Sequence, residues 1–165
     1  MMEDSYVEWL VKRKDPVYAI PVKILMVIIS AFSVLMALQK IWGVLLMLAA
    51  FAATYFVFIN LSIEFEYLYA DGGLRIDRIM GKARRKKIFD CDKADVQFVA
   101  PSDSYMLKDY EPSNIKILDC TSGQKNGKVY AFICQKGSES RKVLFEPNEK
   151  MINAMRRAYL RKMVV

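Results

Sequence analysis

A long apolar segment, positions 17–61, limits what this chain can fold into more than any other feature of the sequence. One continuous helix of roughly 45 residues would be about 67 Å long at 1.5 Å per residue, more than twice the ~30 Å hydrocarbon core of a bilayer. The polar pair Gln39 and Lys40 divides the segment into two parts, each long enough to cross a membrane once. The segment therefore predicts two transmembrane helices, at about residues 17–38 and 41–61, joined by a tight turn.

The basic residues around the two spans predict their orientation. Lysines and arginines occur at 12–14, before the first span, and between 75 and 87, after the second, whereas the connecting turn carries only Lys40. Segments on the cytoplasmic side of a membrane retain Lys and Arg, and this rule accounts for the net charge of +7. We therefore expect a multi-pass protein of the cell membrane with both termini in the cytoplasm.

Residues 1–16, with the sequence MMEDSYVEWLVKRKDP, precede the first span. Their apolar residues alternate first with acids and then with bases. This pattern predicts an amphipathic cytoplasmic segment, interpreted as a short helix lying at the membrane interface.

From Ser62 onward the periodicity changes from helical to twofold. In SIEFEYLYA, apolar and aromatic residues alternate with Glu64 and Glu66, which indicates a strand with one buried face. The run Asp71-Gly72-Gly73 predicts a hairpin turn, after which LRIDRIM returns as the partner strand. Five further strands are predicted in KKIFDC, VQFVA, NIKILDC, KVYAFICQ and RKVLFEP, which makes seven in all.

The last segment of the chain predicts an amphipathic helix. Asn148 is a favourable N-cap residue, and Glu149 suits the positive end of a helix dipole. One helical face is apolar and comprises Met151, Ile152, Met155, Ala158 and Tyr159.

Seven antiparallel strands followed by one amphipathic helix, within residues 62–165, form the pattern of a pleckstrin-homology-like domain, a strongly bent sheet closed at its open end by the helix. The segments WLVKRKDP, FEYLYADGGLRIDRI, GKARRKK and VLFEPNEKM resemble those of small bacterial membrane proteins in an uncharacterised domain-of-unknown-function family, common in clostridia-like bacteria. The resemblance extends over almost the whole chain. It implies a membrane α-helical hairpin followed by an all-β or α+β pleckstrin-homology-like domain, and it implies no catalytic residues.

The composition argues against enzymatic chemistry. The absence of histidine removes the commonest general base and the commonest neutral metal ligand. The cysteines, Cys91, Cys120 and Cys134, are odd in number and far apart, so they predict reduced, packed thiols in a cytosolic domain rather than a disulfide framework or a zinc site. We therefore predict no catalytic, metal-binding or cofactor-binding residue.

The sharpest charged feature is a basic cluster that comprises Lys82, Arg84, Arg85, Lys86 and Lys87. Two interpretations remain open for it: a solvated turn that obeys the positive-inside rule, or a contact with anionic lipid headgroups or an anionic partner. On a strand, successive side chains alternate between the two faces, so only about half of the cluster could touch lipid at once. Nucleic acid is not expected as a partner, because no base-stacking aromatic residues are interleaved with these charges.

These features favour a non-enzymatic scaffold that is anchored to the cytoplasmic face of the membrane. Its β domain would bind an unknown protein partner, for example by adding a strand at a sheet edge, or anionic lipid headgroups. The alternative is an accessory subunit of a larger membrane complex that assembles through the transmembrane hairpin, because small residues on the second span suit helix–helix packing. The candidate packing face comprises Gly43, Ala49, Ala50, Ala52 and Ala53.

Overall fold

In a computed structural model of the protein, the described residues are 6–112, 114–124 and 127–164. Over these ranges the chain forms three α-helices, eight strands and two short 3₁₀ helices. The helices are α1 (Ala19–Ala37), α2 (Ile41–Leu61) and α3 (Glu149–Ala158), and the strands are β1 (Tyr6–Lys12), β2 (Ile63–Ala70), β3 (Gly73–Met80), β4 (Arg84–Cys91), β5 (Val96–Pro101), β6 (Lys116–Asp119), β7 (Tyr130–Lys136) and β8 (Glu139–Phe145). The chain divides into a helical unit, Asp15–Ile63 with Ile79–Arg84, and a β unit that contains the remaining described residues.

The helical unit confirms the two predicted apolar helices. The chain leaves α1 after Ala37 and enters α2 at Ile41, so the break falls at the predicted polar pair. At 1.5 Å per residue the helices are about 28 and 31 Å long, close to the ~30 Å hydrocarbon core. Both are long and apolar enough to cross a membrane, and most of their bulky side chains are exposed.

The two helices pack against each other along one narrow seam. The less exposed positions recur at spacings of three and four on both helices, which is the spacing of one helical face. On α1 this series comprises Ala19, Val22, Met26, Ser30, Ser33 and Ala37, and on α2 it comprises Gly43, Met47, Ala50, Thr54, Val57 and Leu61; Lys23 and Ile59 are half-buried outside the series. At mid-length the Ser30 and Thr54 hydroxyl oxygens are hydrogen-bonded at 2.8 Å.

The N-terminal segment is a strand, so the predicted interfacial helix is wrong. Strand β1 pairs antiparallel with β2 in a register that ends at Lys12 opposite Glu64. The segment is rich in aromatic and β-branched residues, which favour strands, and the register places Val11 opposite Phe65. The chain thus forms one strand of the β unit before the first span, whereas the sequence predicted that this domain begins at Ser62.

The strands form two four-stranded sheets rather than the predicted set of seven antiparallel strands. Their orders are β1-β2-β3-β4 and β5-β7-β8-β6. All seven predicted strands are present as β2 to β8, and β1 is the addition. Strand β8 lies between β7 and β6 in the sheet, and β6 pairs with β8 in parallel rather than antiparallel.

The C-terminal helix forms as predicted. The Asn148 side chain accepts a hydrogen bond from the Met151 N–H at 2.8 Å, which confirms the N-cap. Met151 and Met155 are fully buried on the inner face of α3. After the helix, the Val164 N–H donates to the Val99 carbonyl of β5 at 2.9 Å, so the C-terminal tail covers the outer edge of β5.

Two of the three cysteines contradict the prediction of reduced thiols. Cys91 at the end of β4 and Cys134 on β7 form a disulfide with a Cα–Cα distance of 6.3 Å. They are separated by 43 residues in the sequence, and it is the packing of the two sheets that brings them together. Cys120 is a free, buried cysteine, and burial raises the pKa of its thiol to about 12, so it stays protonated and unreactive at neutral pH.

Candidate functional site

The hairpin between β3 and β4 ends in a tight turn that carries the start of the basic cluster. We call residues 80–84 the basic turn. Gly81 and Lys82 both have φ of +57°, and the Ala83 N–H donates to the Met80 carbonyl at 3.2 Å, which are features of a type I′ turn. A positive φ is uncommon for a residue such as Lys82, so the surroundings must hold the turn in place.

The basic turn lies directly against the last turn of α2, within the helical unit. The Gly81 N–H donates to the Ser62 carbonyl at 2.9 Å. A Cβ atom on Gly81 would lie 2.8 Å from the Ile59 Cγ1 and 3.1 Å from the Ile59 Cα. Only glycine therefore allows both the backbone angle and the close approach to α2.

The five residues of the basic cluster differ in their ion pairs. Arg85 forms a pair with Glu66 at 2.9 Å, and Lys87 pairs with Asp90 at 2.7 Å. The exposed members that have no ion pair with a described acidic residue are Lys82, Arg84 and Lys86. The structure therefore divides the cluster into two structural cations and three that are available to a partner.

The ion pair of Arg85 compensates a buried acid. Glu66 on β2 is only 3% exposed, and burial raises the pKa of its carboxyl group against the opposing effect of the Arg85 guanidinium. Removing Arg85 would leave this carboxylate buried without its counter-charge, so the main role of Arg85 is structural.

A second surface is the β1–α3 cleft, a cavity of about 850 Å³ within the β unit. Its strand wall consists of four consecutive residues, Tyr6 to Trp9. Because alternate side chains of a strand point to opposite faces, consecutive lining residues mean that the cleft runs along the backbone edge of β1. Strand β1 is an end strand of its sheet and pairs only with β2 among the described residues.

The opposite wall of the β1–α3 cleft is one flank of α3 with its N-cap. It presents amides and charged groups, from Asn148, Glu149, Lys150, Asn153, Ala154 and Arg157. The strand wall adds two exposed aromatic side chains, Tyr6 and Trp9. The cleft thus combines an unpaired strand edge with hydrogen-bonding groups and aromatic surface.

The five residues of the candidate helix-packing face on α2 do not all lie on the same side of the helix. Gly43 and Ala50 lie in the seam between α1 and α2, whereas Ala49, Ala52 and Ala53 are exposed on another face of α2. A Cβ on Gly43 would lie 2.2 Å from the Met36 carbonyl oxygen, so this glycine serves the hairpin itself. Only the three alanines remain available for contact with another protein.

A metal site and a nucleophile that ionises near neutral pH each set requirements on the side chains of the described residues. No group of three or more acidic or cysteine side chains within them could hold a metal ion. Tyr67 and Tyr159 are buried, and burial raises the pKa of both phenols above the ordinary value, so neither ionises near neutral pH.

The sequence did not reveal the β1–α3 cleft. It depends on β1, whose seven residues were interpreted as a helix, and on α3, which lies at the other end of the chain. The signal that could have identified it is the enrichment of YVEWLVK in aromatic and β-branched residues, which favour strands.

Comparison with known proteins identifies a family but no individual relative. A family model described as Bacterial PH-like domain (DUF6106) matches residues 3–165. No curated protein and no solved structure matches the chain significantly. The matched range includes the segment of β1 as well as α1, α2 and the two sheets.

Proposed function

Because the chain belongs to the Bacterial PH-like domain family (DUF6106), we propose that it is a non-enzymatic interaction module anchored at the cytoplasmic face of the membrane. Its β unit would bind a protein partner or anionic lipid headgroups. The exposed apolar surface of α1 and α2 supports the anchoring, since it is buried neither in the hairpin seam nor in a core.

The observation that carries this proposal is the position of the helical hairpin within the chain. The hairpin connects β1 to β2, and these strands are paired up to Lys12 opposite Glu64. Directly paired residues lie about 5 Å apart, so both ends of the hairpin must return to the same side of a membrane. This pairing supports an even number of crossings, with both ends of the hairpin on one side of the membrane.

The charges that flank the hairpin support the cytoplasm as that side. Lys12, Arg13 and Lys14 precede α1, and the basic turn follows α2, whereas the loop between the helices carries only Lys40. In a reducing cytoplasm, Cys91 and Cys134 would be held in the dithiol form. Their redox state in the cell therefore reports the compartment independently.

The first experiment tests anchoring and orientation in the native host. Fluorescent-protein fusions at either end of the full chain should be fluorescent and remain in the membrane pellet after carbonate extraction. A phosphatase fusion truncated after Gln39 should be active because it lies outside the cell. After acid trapping and unfolding, all three cysteines should be alkylated. A soluble chain, or a chain with one alkylated cysteine and an external C-terminus, would overturn the proposal.

Two surfaces of the β unit suit the two kinds of partner. The β1–α3 cleft offers an unpaired strand edge, to which an extended segment of another protein can add through backbone hydrogen bonds. The basic cluster offers cations to lipid phosphates. The alternative function, assembly of a larger complex through the hairpin, is favoured by the exposed face with Ala49, Ala52 and Ala53.

Site-specific photocrosslinking distinguishes the cleft from the hairpin as the protein-binding surface. We expect a photoreactive amino acid at Glu8 or Asn153, which both line the cleft, to form a crosslink to another protein in native membranes. The same residue at Ala52 should crosslink only to lipid. The opposite result, with protein adducts at Ala52 alone, would favour the complex-subunit function. Ile117, an exposed residue on β6, is the matched control site.

A further inference from the structure

We propose that the basic turn holds the phosphate of an anionic phospholipid at the cytoplasmic end of α2, through Lys82 and Arg84. This inference rests on the membrane-anchored function proposed above. It assigns the lipid contact to two of the five cations in the basic cluster, and it gives that contact a fixed position along the membrane normal.

The position follows from the contacts of the turn with α2. The apolar residues of α2 end at Leu61, and the next residue, Ser62, accepts the Gly81 hydrogen bond at 2.9 Å. The packing of Gly81 against Ile59 places the turn beside the last helical turn. When α2 spans a bilayer, its end lies at the boundary between hydrocarbon and headgroups, so the basic turn lies at headgroup level.

The charges of the turn are available at that level. Lys82 and Arg84 are exposed and have no ion pair with a described acidic residue. By contrast, Lys23 near the start of α1 pairs with Asp15 at 2.8 Å. The Arg84 guanidinium can bind a phosphate through two parallel hydrogen bonds. The Lys82 ammonium adds a second positive charge, and it can bind the phosphate from many directions.

The backbone of the turn is fixed before any lipid binds. Two consecutive residues with positive φ, closed by the hydrogen bond from Ala83 to Met80, leave little freedom at Lys82. The bond from Gly81 to Ser62 then ties the turn to the helix. Binding therefore needs only the ordering of two side chains, which lowers its entropic cost.

Lipid selectivity of the full chain in vesicles tests the inference. The chain is placed in phosphatidylcholine membranes that contain spin-labelled phosphatidylglycerol or spin-labelled phosphatidylcholine, and the motionally restricted fraction of each is measured by electron paramagnetic resonance. We expect roughly a fivefold preference for the anionic lipid per cation, and so a preference on the order of tenfold or more for the pair. The double variant Lys82→Gln/Arg84→Gln should reduce this preference to below about twofold.

The variant Gly81→Val tests whether the position of Lys82 and Arg84 matters when their charges are kept. Gly81→Val keeps both cations but cannot adopt the positive φ or the contact with Ile59, so we expect it to lose most of the preference as well. The control Lys136→Gln/Arg141→Gln removes the same charges from exposed positions on β7 and β8 and should keep the preference. Unchanged Trp9 fluorescence, measured with Trp42 changed to phenylalanine in every variant, verifies that the β unit is folded.

The outcomes separate failure of this inference from failure of the function. A wild-type chain that floats with the vesicles but binds both lipids equally, or a Gly81→Val variant that keeps full selectivity, would overturn the assigned site and leave the membrane anchor intact. A chain that does not float with the vesicles at all would overturn the proposed function together with the inference.

Discussion

Replacing Phe132 with alanine is expected to lower the free energy of unfolding of the β unit by about 3–5 kcal/mol, the usual cost of truncating a buried phenylalanine. Phe132 on β7 is completely buried. Its ring makes edge-to-face contacts with Phe89 at 5.9 Å and with Phe145 at 6.2 Å between ring centroids. A third contact reaches Tyr159 at 6.3 Å, so one side chain joins β4, β8 and the residue that follows α3. The cavity would disrupt contacts to several elements at once.

Denaturant unfolding of the full chain in detergent measures this cost. Trp9 on β1 reports the β unit once Trp42 on α2 has been changed to phenylalanine. Ile117→Ala on β6 is the control, because Ile117 is 62% exposed and its truncation should cost less than about 0.5 kcal/mol. A cost for Phe132→Ala as small as that of the control would mean that the two sheets do not share the core described above.

Gly43→Leu is expected to separate the two helices of the hairpin. The first side-chain atom would fall 2.2 Å from the Met36 carbonyl oxygen and 2.6 Å from the Ala37 nitrogen, and both of these atoms belong to the backbone. Neither can move without displacing the end of α1. The start of α2 must therefore shift away, which breaks the close helix–helix packing that small residues permit.

Crosslinking between the helices detects this separation. In a chain without native cysteines, Ser30→Cys and Thr54→Cys replace two hydroxyls that lie 2.8 Å apart, and we expect rapid disulfide formation in membranes. Gly43→Leu should reduce the crosslinking rate by at least about tenfold, equivalent to about 1.4 kcal/mol of hairpin stability. Ala53→Leu, an equally large change on an exposed face of α2, should leave the rate unchanged. Equal rates for both variants would contradict the close packing at Gly43.

The features that the sequence predicted well are encoded by residues close together in the chain. The turn at Asp71-Gly72 has φ of +50° and +81°, as the Asp-Gly pair indicates. Asn148 caps α3, and the polar pair at 39–40 marks the break between the helices. In each case the relevant physics, a steric preference or a local hydrogen bond, acts within a few residues.

The features that the sequence did not predict depend on distant residues. The seven residues of β1 fit a strand and an amphipathic helix almost equally well, and the partner that decides between them lies beyond α1 and α2. The parallel pairing of β6 and the contact of Cys91 with Cys134 also arise from the packing of the sheets. For the basic cluster, the sequence identifies the charges, but only the fold distinguishes the ion-paired Arg85 from Arg84, which has no ion pair with a described acidic residue.

The insertion of the hairpin between β1 and β2 has a consequence for biosynthesis. A ribosome makes β1 first, yet its partner strand emerges only after both spans have been synthesised. Until β2 has been synthesised, β1 has no partner strand, and unpaired strands of this kind are prone to aggregation and are bound by chaperones. If α1 and α2 span the membrane as proposed, a chain that leaves one of them out would place β1 and β2 on opposite sides of the membrane, where the two strands cannot pair.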